Sequence, residues 1–497
     1  MAETKIVVHE DDRLSSLPEE ILINILSFLP IHSAATTSVL SHRWRHLWTG
    51  VTSVVIDSRS ESTAIIDHIL QNLTSRKLHK LALDLDDLED PEVARASVPW
   101  FRQVCRRNVE NIIFTTGRDG NYSYFIPSFL FNSQSLVTLD LDGVFQWPKC
   151  KGLRFHLPNL KKLIINYLDD IPLWLETLIR SSPLLELLDL FFEVFSYADL
   201  STSVVNIIAP NLKSLSISMT FYFSSLIQHA RVCIDAPKLA NLKIHDCNSI
   251  YYFLRNPTTL VKAHVYLDNI ESWQCLNEED EEDHGLLEGA HKEYLRQVVQ
   301  FVGGLSSVSS LKLKLESPTN IFRYRSFVNL PTFSNLTRLE TKGTMDLLCY
   351  LHCFPNLVQL VVCLWSQPFQ TLSFLMKQSY WLPPDSIPDC LLGKLKTIQL
   401  SEIQGTDDTL RLLAYILSNA NVLEKLYIRL RLVERVNPKH ECEEAYAMWK
   451  ESQFCKSLFK LPRRSSTCEV VFSGSFFRAS GNALPGGYLS CQMYVGR

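Results

Sequence analysis

The sequence predicts an α/β solenoid, a curved array of repeats with a small helical unit ahead of it and a closing unit behind. Three observations predict this. At 497 residues the chain exceeds the size at which one compact core keeps growing. From Leu78 onward one phrase, L-x-x-L-x-[LIVF], recurs along the chain. Ahead of it, residues 16–50 hold three short amphipathic segments separated by proline and serine.

In the first segment, "SLPEEILINILSFLP", Ser16 and Glu19 stand at capping-box spacing, and Pro18 fits a first helical turn where its missing N–H is no loss. Leu17, Ile21, Leu22, Ile25, Phe28 and Leu29 follow at three- and four-residue spacings, a stripe wider than one short helix hides on itself. Pro30 ends it. "IHSAATTSVL" supplies a second helix, and Ser41 can cap a third that carries Trp44, Leu47 and Trp48 before Gly50, with the two tryptophans four apart and so on one face. Helices this short bury too little to stand alone, so a partner or the next domain must cover the surplus.

The run from Asp12 to Trp48 resembles the plant-type F-box, with its Leu-Pro start at Leu17 and Pro18, its "ILSFLP" helix end and its closing "VLSHRWRHLW". The resemblance implies docking onto a Skp-family adaptor, itself held by a cullin scaffold that carries a RING subunit. Leu17, Pro18, Ile21, Leu22, Ile25, Leu26, Leu40, Trp44 and Trp48 are the adaptor-binding set that it implies, the tryptophans also cementing the three helices.

The repeat phrase begins at Leu78, Val109, Leu136, Leu160, Leu185, Leu212, Leu239, Val308, Leu336, Leu357, Leu395 and Leu423. Successive starts up to Leu239 differ by 31, 27, 24, 25, 27 and 27 residues, in or near the leucine-rich-repeat range of roughly 20 to 29. The spacing then loosens. Each phrase supplies one strand whose alternate leucines face inward, and none buries that face without its neighbours, so the units stack. The region resembles the degenerate leucine-rich repeats that follow F-boxes in many plant proteins.

Residues between the leucines then point to the concave face: Thr138 and Asp140, Lys162 and Ile164, Ser214 and Ser216, Asn241 and Lys243, Ser310 and Lys312, Arg338 and Glu340. The charged ones (Asp140, Lys162, Lys243, Lys312, Arg338 and Glu340) are the candidate client-binding residues. Both signs occur among them, whereas a nucleic-acid groove would want mainly cations, so a protein client or a polar small ligand is the expected partner. The acidic run within "NEEDEEDHGLLEG" reads as a solvated loop.

Thr406 to Ala420 has a polar cap, two early acids and an apolar face of Leu410, Leu413, Ile416 and Leu417, and a charged helix from about Cys442 to Leu458 precedes "LPRRSSTCEVVF". This stretch resembles the FBD domain at Cys390, Leu391, Gly405, Ala420, Leu423 and Leu461 to Phe472. Physically it reads as a last repeat with a helix covering the open end of the stack. The predicted organisation is a flexible 1–11, an F-box at 12–50, repeats over 51–380, an FBD unit at 381–472 and a loosely ordered, Gly- and Ser-rich 473–497.

Composition and motifs bound the function. A formal charge of −4 argues against whole-surface attraction to polyanions, and no stretch reaches the roughly 18 uninterrupted apolar residues of a membrane span. Thirteen scattered cysteines without a CxxC pair, behind an N-terminus that does not read as a signal peptide, point to a reducing compartment, cytoplasm or nucleus. No nucleotide, metalloprotease or hydrolase motif occurs. "CYLHC" at Cys349, His352 and Cys353 lacks a second pair for a zinc site, and "KHECEE" around His440 and Cys442 is equally weak. No cofactor, metal or catalytic residue is therefore expected. With the resemblances, the expected function is a non-catalytic, client-recruiting subunit of a Skp-cullin-F-box ubiquitin ligase; the alternatives are an interaction protein that binds the adaptor without promoting degradation, and an enzyme that uses the stack as a scaffold.

Overall fold

Alternation of one apolar and one polar residue over six positions is the signature of a strand buried on one face, and it occurs once per repeat. The structure, a computed structural model, describes residues 14, 16–57, 63–85, 91–117, 124–148, 154–168, 174–194, 204–221, 231–246, 250–267, 284–315, 330–343, 345–364, 383–431, 441–482 and 490–493. The expectations for residues 1–11 and for the acidic run at 278–283 lie outside them. Two compact units divide the chain, Met1–Glu193 with Ile208–Leu212 and Val194–Ile207 with Lys213–Arg497.

In the first unit, strands β1 (Ser53–Asp57), β2 (Lys80–Leu85) and β3 (Asn111–Thr116) pair in parallel and in chain order. Past a short parallel pair, β4 (Tyr124–Phe125) with β6 (Phe145–Gln146), the ladder continues through β5 (Thr138–Asp142), β7 (Lys162–Leu168) and β8 (Leu187–Val194). Register keeps the leucines in rows: Leu81, Ile112, Leu139, Leu163 and Leu188 are neighbours on successive strands, and each is 0% exposed. Helices α3 (Thr63–Asn72) and α4 (Pro91–Arg106) pack together, with the buried Trp100 donating Nε1–H to Asp67 Oδ1 at 2.5 Å.

The N-terminal helices belong to this unit. Here α1 (Glu19–Leu26) and α2 (Ile31–Thr36) are followed by 3₁₀ turns at Thr37–Val39 and Trp44–Gly50. The N-cap positions are Pro18 and Arg43, where Ser16 and Ser41 are expected. Pro18 is the N-cap of α1 with ψ 150°, without a side-chain cap bond, and Ser41 instead accepts the Trp44 N–H through its carbonyl at 3.1 Å. Because Trp44–Gly50 winds at about three residues per turn, residues four apart do not share a face, so Trp44 is buried and Trp48 only half-buried. The unit seats on the first strand: Ser27 Oγ accepts the Thr52 N–H at 3.0 Å, and Ile23 stands against Gly50.

The second unit repeats the pattern. Beside a flanking three-stranded sheet of β9 (Val204–Ile208), β11 (Arg231–Asp235) and β13 (Tyr251–Arg255) run β10 (Ser214–Phe221), β12 (Asn241–Asp246), β14 (Lys262–Leu267), β15 (Ser310–Leu315), β16 (Arg338–Gly343), β17 (Gln359–Leu364), β18 (Thr397–Ile403), β19 (Lys425–Leu430) and β20 (Glu469–Ser473), successive strands parallel. Strand β14 accounts for part of the loosened spacing. Its phrase starts at Leu260 but carries Ala263 where the second leucine belongs, and Leu260, Ala263 and Val265 are all buried in the row. The other α-helices among the described residues are α5 (Leu175–Arg180) in the first unit and α6 (His284–Gly304), α7 (Asp389–Gly393), α8 (Asp407–Asn419) and α9 (Glu441–Lys460) in the second. Thr406 caps α8 by accepting the Thr409 N–H at 3.3 Å; Leu412 joins Leu413, Ile416 and Leu417 in its buried face, and Leu410 is half-buried.

Polar residues placed just before the first leucine of a phrase stitch several repeats to their predecessors. Asn159 donates Nδ2–H to the Gln134 carbonyl at 2.7 Å, Asn211 to Pro183 at 2.9 Å and Asn356 to Ser334 at 2.8 Å, while Ser135 and Thr259 donate their hydroxyls to Val109 and Pro237 at 2.8 Å. These bonds satisfy turn carbonyls that no strand partner reaches.

Residues 473–482 and 490–493 differ from the loosely ordered tail expected over 473–497, the rest of which lies outside the described residues. β20 pairs antiparallel with β21 (Phe477–Asn482), and β21 with β22 (Ser490–Met493). A parallel array leaves its last strand with an open edge of unpaired N–H and C=O groups, and β21 covers that of β20.

Among the described glycines, one is conformationally required by its φ. Gly143, after β5, has φ +137°, and a Cβ there would fall within 1.8 Å of the Thr116 hydroxyl oxygen. Gly143→Ala should lower stability by about 1–3 kcal/mol, read from the denaturant midpoint of the full chain.

Candidate functional site

Two surfaces carry side chains that packing leaves over. The first is on the N-terminal helices. Phe28 is 89% exposed, Val39 85% and Leu40 65%, joined by Ile21, Ile25 and Leu29. Pro18 is exposed, and Leu17 is half-buried with its carbonyl accepting from the Arg43 guanidinium. The sequence-derived set therefore divides: Pro18, Ile21, Ile25 and Leu40 face solvent, Leu17 and Trp48 are part-covered, and Leu22, Leu26 and Trp44 lie inside the helical core. Those last three hold the helices together and are not free to meet a partner. Phe28, Leu29 and Val39 replace them on the surface.

Helical periodicity places Phe28 in the apolar stripe but not on the outer surface, because α1 stops at Leu26 and the 3.6-residue count no longer assigns its face.

The second surface is the outward face of the parallel ladders, where every position named from the register is half-buried or exposed. Its signs are sorted by unit, where the phrase-by-phrase reading saw them mixed. In the first unit this face holds Asp84, Asp140, Asp142, Asp189 and Glu193 against Lys80 and Lys162. Burial, reinforced by Asp142 and Asp189, holds the Asp140 carboxyl above the usual range. In the second unit, β12 and β14–β16 present Lys243, Lys262, Lys312, Lys314, Arg338 and Lys342, with Glu340 the one acid among the paired outward positions of β10, β12 and β14–β17.

Titratable clusters elsewhere have structural partners. His352 Nε2 lies 3.1 Å from the Ser386 carbonyl, and Cys353 Sγ donates to the Leu330 carbonyl at 3.8 Å. Among the described residues no group of three His, Cys, Asp or Glu could hold a metal ion, and no helix is long and apolar enough to cross a membrane. Burial pushes the thiols of Cys105 and Cys468 up to about 11 and that of Cys390 up to about 12, the reverse of what a cysteine nucleophile needs.

Family profiles match along the same plan. One described as F-box domain matches residues 14–54, one described as FBD-associated F-box protein At5g56370, LRR repeats, matches 98–260, and one described as FBD matches 383–428. In Arabidopsis thaliana the F-box/FBD/LRR-repeat protein At5g22660 is 28% identical over 477 residues, covering 93% of this chain and 96% of its own. The chain carries an F-box, leucine-rich repeats and an FBD stretch in the order that these relatives are named for. Two further relatives from the same plant align along most of the chain: FBD-associated F-box protein At5g22730, 27% identical over 93% of this chain and 94% of its own, and F-box/FBD/LRR-repeat protein At5g22700, 28% identical over 83% and 91%. In F-box/FBD/leucine-rich-repeat terms, α1, α2 and the two 3₁₀ turns are the F-box, β3 to β13 fall in the matched repeats, and α7, β18, α8 and the start of β19 make up the matched FBD stretch. "LPRRSSTCEVVF" at 461–472 lies beyond that match and forms the approach to β20 and the strand itself.

Proposed function

We propose that this F-box protein is a client-recruiting subunit of a Skp-cullin-F-box ubiquitin ligase, docking on a Skp-family adaptor through Phe28, Val39, Leu40 and their neighbours and holding a client on the outward face of its repeats. The observation that carries the reading is the uncovered apolar cluster on the F-box. A soluble fold does not leave three large side chains 65–89% exposed within thirteen residues without something to cover them. Each, fully buried, contributes roughly 1.5–3 kcal/mol, so the cluster suffices for a stable complex. The ligase's cullin and RING subunit follow through the adaptor. Nothing in the mechanism asks this chain to break a bond: it raises the effective concentration of client lysines at the ubiquitin-charged enzyme, and a stack held row to row limits the volume a client explores.

Pull-down of adaptor and cullin by the full chain tests this. A Phe28→Ala, Leu40→Ala double variant should bind the adaptor about a hundredfold or more weakly while its melting temperature stays near that of the parent, because both side chains are exposed. Undiminished capture by the variant would refute the assignment of this surface. Ubiquitination of a captured client in a reconstituted ligase then separates a degradative subunit from one that only binds the adaptor.

A further inference from the structure

The outward face of the second unit is not a generic polar surface. Across β12, β14, β15 and β16 it gathers six cations: Lys243, Lys262, Lys312, Lys314, Arg338 and Lys342. The one acid at the paired outward positions of these four strands, Glu340, is already engaged, 2.6 Å from Lys312 Nζ and 4.0 Å from the Arg338 guanidinium. The flanking strands are neutral there: β10 offers Ser214, Ser216 and Ser218, and β17 offers Gln359, Val361 and Cys363. A chain whose net charge is −4 thus carries a local reversal of sign on one sheet face. The field is felt by His264 in its middle, whose imidazole is held below its ordinary pKa by burial and then by Lys312 and Lys243.

From this face we propose that the client segment recognised by the second unit is a protein strand rich in Asp and Glu, laid across β12 to β16. The spacing favours distributed carboxylates over one dense anion. Neighbouring strands stand about 4.8 Å apart and alternate residues on one strand about 7 Å, so the ammonium groups form a strip matching an extended acidic chain. Lysines supply point charges suited to such a strip. The one guanidinium is engaged from both sides, donating from Nη1 to Gln359 Oε1 at 2.7 Å and facing Glu340, so no free arginine fork converges on a phosphate there.

This rests on the reading of the repeats as the client side of an adaptor-bound subunit, and the test keeps the two apart. The full chain is titrated with a fluorescent Glu/Ser peptide, with the same peptide carrying Gln for Glu, and with single-stranded DNA of equal length. The acidic peptide should bind, the Gln peptide should not, and binding should weaken steeply with salt. Lys243→Glu with Lys314→Glu should reduce affinity at least about tenfold, whereas Asp189→Asn in the first unit should leave it unchanged. Adaptor capture by the double lysine variant should match the parent, which certifies the fold. Equal binding of the Gln peptide, insensitivity to the lysine variant, DNA binding as tight as the peptide, or a salt-sensitive dimer that the lysine variant abolishes in place of peptide binding would each overturn the assignment. If adaptor capture holds while the peptide fails, only this inference falls; loss of adaptor capture by the parent chain would instead remove the ligase reading.

Discussion

Glu451→Ala should destabilise the C-terminal end of the stack by about 3–5 kcal/mol. The side chain is 6% exposed, and its carboxylate accepts three backbone N–H groups of the β20–β21 turn: Ser475 at 3.0 Å, Phe476 at 3.0 Å and Phe477 at 2.7 Å. Hydrogen bonds to a charged acceptor contribute about 1.5–3 kcal/mol each, and removing the acceptor also leaves buried donors without a partner. Glu451→Gln is the informative companion. It keeps one acceptor oxygen but turns the other into a donor facing an N–H, so it should recover less than half of the loss. Native-state hydrogen exchange at residues 469–482 would detect both, with protection falling there before it falls in β2 to β8. A uniform loss of protection along the chain would mean that the turn is not an independently opening segment.

Trp44→Ala should cost about 3–5 kcal/mol, the range for emptying a buried indole site. The 3₁₀ turn that begins at Trp44 packs on α1, on α2 and on the preceding 3₁₀ turn, so the indole sits where all parts of the F-box meet. The variant should lose adaptor binding together with the cooperative melting of the N-terminal helices. The Phe28, Leu40 variant should lose binding alone. Circular dichroism beside pull-down separates the two, and a Trp44→Ala chain that melts like its parent would contradict the packing described.

The repeats were legible because their physics is periodic. A strand buried on one face must alternate, the alternation recurs once per unit, and the inward leucines of all twelve phrases are in or beside the ladders observed. Departures occurred where one substitution or one boundary broke the count. Ala263 fills a leucine position in β14 because a row flanked by Leu242 and Leu311 still buries it, yet it erases the phrase from the sequence. β21 has no repeat phrase, since its pairing is imposed by the edge it covers. On the F-box the apolar residues were evident, but which of them face outward depends on where α1 ends and on the tighter winding after Arg43. The sorting of charge between units was invisible in single phrases because it is a property of rows, which register assembles across strands more than twenty residues apart.

The side-chain rungs between repeats have a further consequence. Spans of 25, 28 and 22 residues separate Asn159, Asn211 and Asn356 from the carbonyls they hold, yet each rung reaches the same structural place, the turn of the unit before. The joint is therefore indifferent to what fills the interval and to which unit precedes it. A lineage can lengthen a connection, or lose or duplicate a whole unit, and find the same donor meeting the same kind of acceptor at the new junction. Modular change in the length of the repeat array is thus open to such a chain without redesign of its joints.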